Sequence, residues 1–467
     1  MDINIKIPEG ANKIIHTLQE HGYSAYIVGG CVRDSILGRI PNDWDICTSA
    51  TPYEMMNIFK DERIIETGLQ HGTITILINN EGYEVTTYRI DGNYSDKRRP
   101  DTITFTNDLT QDLSRRDFTI NAMAYNDIDG LIDPFGGVYD INHKLIRCVG
   151  SPRTRFNEDA LRILRAIRFA SQLDFSIESN TIEEIFKQSQ WLRHISIERI
   201  NSEFCKIISA KNCSNKLLEF SNVFSIFIPE IADMFCFKQN NPYHSFTVYG
   251  HTVHAMKMCD SDDLIVRLAV FFHDIGKPYS FQDDENGIRH FKCHGKVSAD
   301  ITNRTMKNMR FDNDTREKVV QLVFYHDATF DNSKKSIKRW LNKIGEEQFR
   351  RLLKVRKSDI KGQKIDYDED RISAINLIEK NIDDIINEKE CFSLKQLAVN
   401  GDDLINIGYK PGKDIGIALQ KLLQDVINGE ITNEKEILLN HANNIKILIE
   451  IRKEVQEVVE NGKYVFT

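Results

Sequence analysis

In the first 150 residues apolar positions fall in short runs rich in β-branched and aromatic side chains. Residues 24–28 (SAYIV) run into Gly29-Gly30, and residues 73–78 (TITILI) and 83–88 (YEVTTY) carry the composition of strands. Helical patterns lie between the first two runs. From Asn157 onward the period changes: Leu161, Leu164, Ile167, Phe169 and Leu173 recur at spacings of three and four, and strand-like alternation almost disappears. The pattern predicts an α+β fold, with a strand-bearing amino-terminal part and a long helical remainder. Turn-rich breaks at residues 240–242, 282–287 and 408–412 offer candidate boundaries.

Composition adds bounds. With 467 residues, 41% hydrophobic and 28% charged, the chain can bury a sizeable core and has room for about three domains. No run reaches the roughly 18 apolar residues of a membrane span, and the start, MDINIKIPEG, lacks a secretory apolar stretch, so a cytoplasmic protein with no membrane partner is expected. Nine cysteines with no C-x-x-C pair read as reduced thiols. The net charge of −8 argues against a protein coated in nucleic acid. That average conceals segregation. Residues 334–364 hold twelve Lys and Arg against three acidic residues, whereas residues 365–390 hold nine acidic against three basic. Two readings stay open: a basic face that follows a phosphate backbone, or a helix pair that neutralises itself.

The chemistry begins at residues 26–48, YIVGGCVRDSILGRIPNDWDICT. A strand entering Gly29-Gly30 and then a helix from about Val32 presents bare amides to a phosphate. Asp43 and Asp45 flank Trp44, and on an extended strand residues i and i+2 share a face, which suits one or two hard cations. The chain has no G-x-x-x-x-G-K-[ST], so a P-loop is excluded.

The segment GGCVRDSILGRIPNDWDI, with Gly29, Gly30, Arg33, Asp34, Asp43 and Asp45, resembles motif A of the class II tRNA nucleotidyltransferase and poly(A) polymerase family, within the DNA polymerase β superfamily. The resemblance implies a head with a small mixed sheet over residues 1–150, magnesium held by Asp43 and Asp45, and Glu84 as the third carboxylate that activates a primer 3′-hydroxyl. LSRRDFTINAMAYN at 113–126 resembles motif B and implies that Arg116, Asp117 and Asn121 touch the nucleotide's sugar and phosphates. Residues 129–147 look like the connector called motif C.

In RFNEDALRILRAIRFA (155–170) helical spacing places Glu158 over Arg162, with Asp159 beside it and Arg165 one turn further on. Such a ladder stabilises a helix by itself; an Asp beside an Arg also matches the Watson–Crick edge of cytosine or adenine. The string resembles motif D of the class II enzymes, which implies selection of CTP and ATP by Asp159 and Arg162 with Arg165 in support.

A third set comprises His251, His273-Asp274, His294, His326 and Asp359, in YGHTV, FFHDIGK, CHGK, YHDA and KSDI. Polar pairs on an apolar helix need a partner, and a divalent metal is one. The set resembles the HD phosphohydrolase domain, which implies a second divalent metal and phosphoester hydrolysis. By resemblance the helical part divides into a neck (151–240), an HD-type body (241–364) and a tRNA-binding tail (365–467), where residues 399–439 and the loop GYKPGK (408–413) look like the tail of bacterial CCA-adding enzymes.

The expected function is template-independent addition of CCA from CTP and ATP to the tRNA 3′ end. An A-adding enzyme or poly(A) polymerase of the same family remains a rival, as does an HD phosphohydrolase with an RNA-binding head. TGLQHGT at 67–73 resembles the CCA-adding type, and the long loop at 91–100 speaks against a CC-only enzyme.

Overall fold

The structure is a computed structural model and describes residues 3–92, 94, 101–240, 245–364 and 368–461. Most of the loop at 91–100 and part of the break at 240–242 lie outside the described residues.

The amino-terminal part is built on a seven-stranded mixed sheet. Its strands are β1 (Ala25–Val28), β2 (Ile46–Thr48), β3 (Arg63–Ile65), β4 (Thr73–Ile78), β5 (Glu81–Thr87), β8 (Ala124–Asn126) and β9 (Gly130–Ile132), in the order β3-β4-β5-β2-β1-β8-β9. Only β2 and β5 pair in parallel, with Ile46 opposite Val85. Two further strands, β6 (Arg89–Asp91) and β7 (Ile103–Phe105), form a separate antiparallel ribbon. Central β1 is buried on both faces and therefore reads as a continuous apolar run. By contrast β4 alternates between buried and half-buried positions, because helix Glu9–Glu20 covers one face with Ala11, Ile14, Ile15 and Leu18. Each such side chain fully withdrawn from water contributes about 1.5–3 kcal/mol. The opposite face packs a smaller cluster of Val28, Cys47, Tyr88, Leu113 and Ala124. That cluster fixes helix Leu109–Ser114, through Leu113, and the turn after it, through Ala122, against the sheet.

The rest is helical apart from two short ribbons, one parallel (Leu145–Ile146 with Ser176–Ile177) and one antiparallel (Gln282–Asp283 with Arg289–His290). Residues 155–170 do not form the single helix their spacing predicts. Helix Pro152–Glu158 ends, Asp159 is extended (φ −142°, ψ 104°), and a new helix begins at Leu161 and runs to Leu173. The cause is local: the Asp159 carboxylate accepts the Leu161 amide at 3.0 Å and competes with helical bonding there. Helix Ile197–Ile208 packs on Leu161–Leu173, and its last turn is tied to the following helices by buried Arg267, whose guanidinium donates to the Ile208 and Ala210 carbonyls.

One apolar core runs from the sheet through these helices to Ile375, Ile378, Ile382 and Ile385 of helix Glu369–Asn387. The carboxyl-terminal helices have a separate core around Leu404, Tyr409, Leu422, Leu423 and Leu438. The isoleucine stripe of Glu369–Asn387, beyond the boundary expected at residue 365, packs into the main core, whereas the second core begins with Cys391. The same helix and the turn after it neutralise part of the segregated charge: Lys334 and Lys338 pair with Glu390, Lys334 also with Glu388, Arg350 with Asp383 and Lys357 with Glu379. Four of the twelve cations in the basic stretch are thus spent on its acidic neighbour. All nine cysteines are free, and no helix among the described residues is long and apolar enough to cross a membrane.

Candidate active site

A cavity of about 560 Å³ opens where the sheet meets the first long helix of the remainder. Gly29 ends β1 in a left-handed conformation (φ 82°) and donates its amide to the Met123 carbonyl at 3.1 Å. A Cβ there would lie 3.0 Å from Arg116 Nη1, so glycine serves both the turn and the close approach of a guanidinium. Helix Gly30–Ile36 starts at once, two residues earlier than its sequence suggests, and its first residue, Gly30, lines the cavity with Gly29.

Arg33 stands one turn into that helix. Its Nη1 donates to Asn121 Oδ1 at 2.6 Å, its Nε and Nη2 grip Asp34 at 2.9 Å each, and its guanidinium lies 5.1 Å above the Phe169 ring. Arg165 and Arg168 approach the same ring at 5.4 and 4.2 Å. One phenyl face system thus gathers three guanidiniums, and each has its own carboxylate: Asp34, Asp117 and Glu203. Burial would raise the Asp117 carboxyl, but Arg165 and Arg162, with the Asn121 amide, hold it down to about 2. It stays an anion that fixes Arg165 and the motif-like turn around Asn121.

Asp43 and Asp45 lie on the extended segment that leads into β2, and both line the cavity. The β2–β5 register sets Glu84 beside Asp45, although Glu84 itself does not line the cavity. Partial burial raises the Asp45 carboxyl above the usual range, the Glu84 and Asp43 charges push it further, and Arg116 opposes them. Crowded carboxylates of this kind are relieved by a divalent cation, so the residues fit one.

On the far wall, Asp159 and Arg162 are close in sequence but do not pair with each other. Arg199, from helix Ile197–Ile208, holds Asp159 at 2.7 Å. Arg162 pairs with Glu158 at 2.5 Å and donates to the Arg115 carbonyl at 3.0 Å. Sequence reasoning missed Arg115, Arg168, Phe169 and Arg199. The first lies beside the recognised Arg116, and Phe169 read only as an apolar helix position. Arg199 sits 37 residues from Arg162 with no pattern joining them.

The histidine set also comes together. His251 Nε2 lies 3.0 Å from both His273 Nε2 and Asp359 Oδ1, and His294 Nε2 lies 3.0 Å from His326 Nε2. Asp274 stands between the pairs, 3.3 Å from His251 and His273 and 3.5 and 3.7 Å from His294 and His326. The result is two triads, His251–His273–Asp274 and Asp274–His294–His326, each compact enough for one ion. In His273, His294 and His326 the Nδ1 faces a backbone carbonyl at 2.7–2.8 Å, which turns the Nε2 inward. Nitrogens facing at 3.0 Å require a proton or a cation between them. Burial favours a neutral Asp274, yet His273 and Lys277, the latter at 2.6 Å, hold it well below the carboxylate range. The donor set fits a divalent metal. Among the described residues these are the tightest such groups; Asp43, Asp45 and Glu84 do not close to the same spacing.

A family model described as "Poly A polymerase head domain" matches residues 25–147, one described as "Probable RNA and SrmB- binding site of polymerase A" matches residues 174–235, and a tRNA nucleotidyltransferase domain 2 model matches residues 279–442. The CCA-adding enzyme of Ligilactobacillus salivarius (strain UCC118) is 34% identical over 441 residues, which cover 92% of this chain and 94% of that protein. The chain belongs to the CCA-adding enzyme family. A crystal structure of the Bacillus stearothermophilus CCA-adding enzyme in complex with CTP superposes with a TM-score of 0.72 at 27% identity, over 96% of this chain and 100% of that one. The Thermotoga maritima CCA-adding enzyme complexed with tRNA_CCA shares the fold, with a TM-score of 0.60 at 20% identity over 95% of this chain and 96% of that one. As a member of the CCA-adding family the chain is a nucleotidyltransferase, and the α+β architecture with a mixed-sheet head followed by helices is that of the family. Nucleotidyltransferases of this family work with a divalent metal, consistent with the crowded carboxylates at Asp45.

Proposed function

We propose that the chain adds C, C and A from CTP and ATP to the 3′ end of tRNA, selecting each nucleotide with protein side chains and releasing pyrophosphate. The observation that carries this reading is the single cavity shared by a phosphate-binding end (Gly29, Gly30, Arg33), the paired carboxylates and a base-reading wall. The helix amides and Arg33 hold the leaving phosphates. Arg116, Asp117 and Asn121 position the sugar and α-phosphate. Asp43 and Asp45 would hold magnesium, whose charge would neutralise the triphosphate, and Glu84 beside Asp45 activates the primer 3′-hydroxyl. The primer 3′-oxygen attacks the α-phosphorus, its proton passes to the Glu84 carboxylate, and pyrophosphate leaves from the opposite apex. Asp159 accepts from the exocyclic amino group of cytosine or adenine while Arg162 donates to the ring, and Arg165 braces them through Asp117. A cytoplasmic site of action is part of this reading, supported by the tRNA substrate.

The test uses tRNA lacking its last three nucleotides, with CTP, ATP and magnesium, and reads product length to one nucleotide. Three added residues are expected. One residue, accepted only on tRNA ending in CC, selects an A-adding enzyme, and a long A tail selects a poly(A) polymerase.

A second reading concerns the histidine set. We propose that its two triads hold divalent metal and hydrolyse phosphomonoesters or cyclic phosphodiesters, a reading supported by the inward Nε2 atoms around a shared Asp274. Metal content measured on purified protein and on Asp274→Ala tests it.

A further inference from the structure

A second cavity, of about 530 Å³, lies behind the active site and shares a wall with it. The wall is Arg33 stacked on Phe169, and both residues line both cavities. The back cavity is bounded by the loop that carries the chain from helix Gly30–Ile36 to Asp43, which contributes Arg39 and Asn42, and by helix Ile197–Ile208, which contributes Lys206. Its one carboxylate, Asp34, is already neutralised by a two-point pair with Arg33. Arg39 and Lys206 are exposed, and among the described residues neither has an acidic side chain within ion-pair distance. Such cations are unusual here, since almost every other arginine near the active site is matched to a carboxylate. The cavity is therefore net positive and otherwise lined by neutral hydrogen-bonding groups such as Gln172 and Ser209.

We infer that this cavity receives the pyrophosphate product, an inference that rests on the nucleotidyl-transfer reading above. When the primer oxygen bonds the α-phosphorus, the bond from that phosphorus to the bridging oxygen of the β-phosphate breaks, and its electron pair leaves with pyrophosphate. In-line geometry puts the leaving group at the apex away from the primer, at the Gly29–Arg33 end. The extended primer and its new base would occupy the front cavity, and Arg33, which lines both cavities, would pass the polyanion to the back one. The next unpaired cations it meets are Arg39 and Lys206. An ammonium and a guanidinium on facing elements suit a compact diphosphate.

The test compares wild type with the double variant Arg39→Ala/Lys206→Ala, whose exposed positions leave folding intact. Three quantities are measured: product inhibition by pyrophosphate during CTP addition, pyrophosphate dependence of the reverse reaction, and calorimetric binding of magnesium pyrophosphate to the protein without tRNA. Loss of two charge-assisted contacts should weaken pyrophosphate about tenfold or more in all three. KM values for CTP, ATP and tRNA should stay within about twofold. Unchanged pyrophosphate affinity overturns the inference. So does a raised KM for tRNA with pyrophosphate unaffected, which would make these cations contacts to the RNA backbone. If wild type incorporates no nucleotide, the proposed function falls, and the calorimetric comparison still decides whether the cavity binds pyrophosphate.

Discussion

Asp159 is held by Arg199, 2.7 Å away on a neighbouring helix, and not by Arg162 three residues along the chain. Both edges meant to read a base are therefore occupied in this structure, one by Arg199 and the other by Glu158. A cytosine or adenine must compete with those partners, and Arg199 sets the direction in which the Asp159 acceptors face. Arg199→Ala should let Asp159 rotate, lowering kcat/KM for CTP and ATP about tenfold while discrimination against UTP and GTP weakens. Arg199→Lys should restore charge but not the two-point grip, with intermediate selectivity. Single-turnover incorporation of each of the four nucleotides provides the measurement.

The strands β1 and β4, the glycine turn, the Asp-x-Asp segment and the histidine set were all legible because each is local or carries its own motif. What the sequence concealed was tertiary. EDALRIL has no glycine or proline, so the break at Asp159 is invisible to periodicity, and it follows from a single carboxylate capping the Leu161 amide. With that break the expected i+3 neighbour of Arg162 turns toward helix Ile197–Ile208. The charge segregation at 334–390 had two readings; pairs of Lys334 and Lys338 with Glu388 and Glu390, and of Arg350 and Lys357 with helix Glu369–Asn387, neutralise four of the twelve cations at 334–364.

Acid should uncouple the same wall. The Asp117 carboxyl sits at about 2 in the folded protein against an ordinary 3.8, so the folded state favours the anion. Its stabilisation is complete above the ordinary value and is lost as pH falls from about 4 through 2, amounting to roughly 2 kcal/mol. Asp117→Asn should lower Tm at pH 7, and the gap to wild type should narrow below about pH 4 and nearly close at about pH 2. Thermal unfolding across pH 2–7 provides the check; a constant gap would contradict the assignment.

Gly29→Ala tests the phosphate-binding turn. The substitution forces an L side chain to φ 82° and sets its methyl 3.0 Å from Arg116 Nη1. The strain costs on the order of 1–3 kcal/mol. Because Arg116, Gly29 and Gly30 line the same cavity, KM for both nucleotides should rise about tenfold, whereas KM for tRNA should not change. A fall in Tm without any change in nucleotide KM would confine the glycine to a structural role.

The two polar centres should fail independently. Asp43 belongs to the sheet segment before β2 and Asp274 to the turn that follows helix Leu264–Phe272, and no residue lines both sites. Asp43→Ala should abolish nucleotide addition and leave phosphoester hydrolysis intact. Asp274→Ala should do the reverse, because it removes the one carboxylate common to both triads. Its loss leaves Asp359, at one side of the cluster, as the remaining carboxylate against four imidazoles, so bound metal should fall to trace levels when measured by elemental analysis. Leaving a buried cluster uncompensated also costs several kcal/mol, and a lower Tm is expected for Asp274→Ala. Asp274→Asn keeps the shape and isolates the charge. If it too loses metal while adding three nucleotides to tRNA at the wild-type rate, the hydrolytic centre and the transferase are separate machines on one chain.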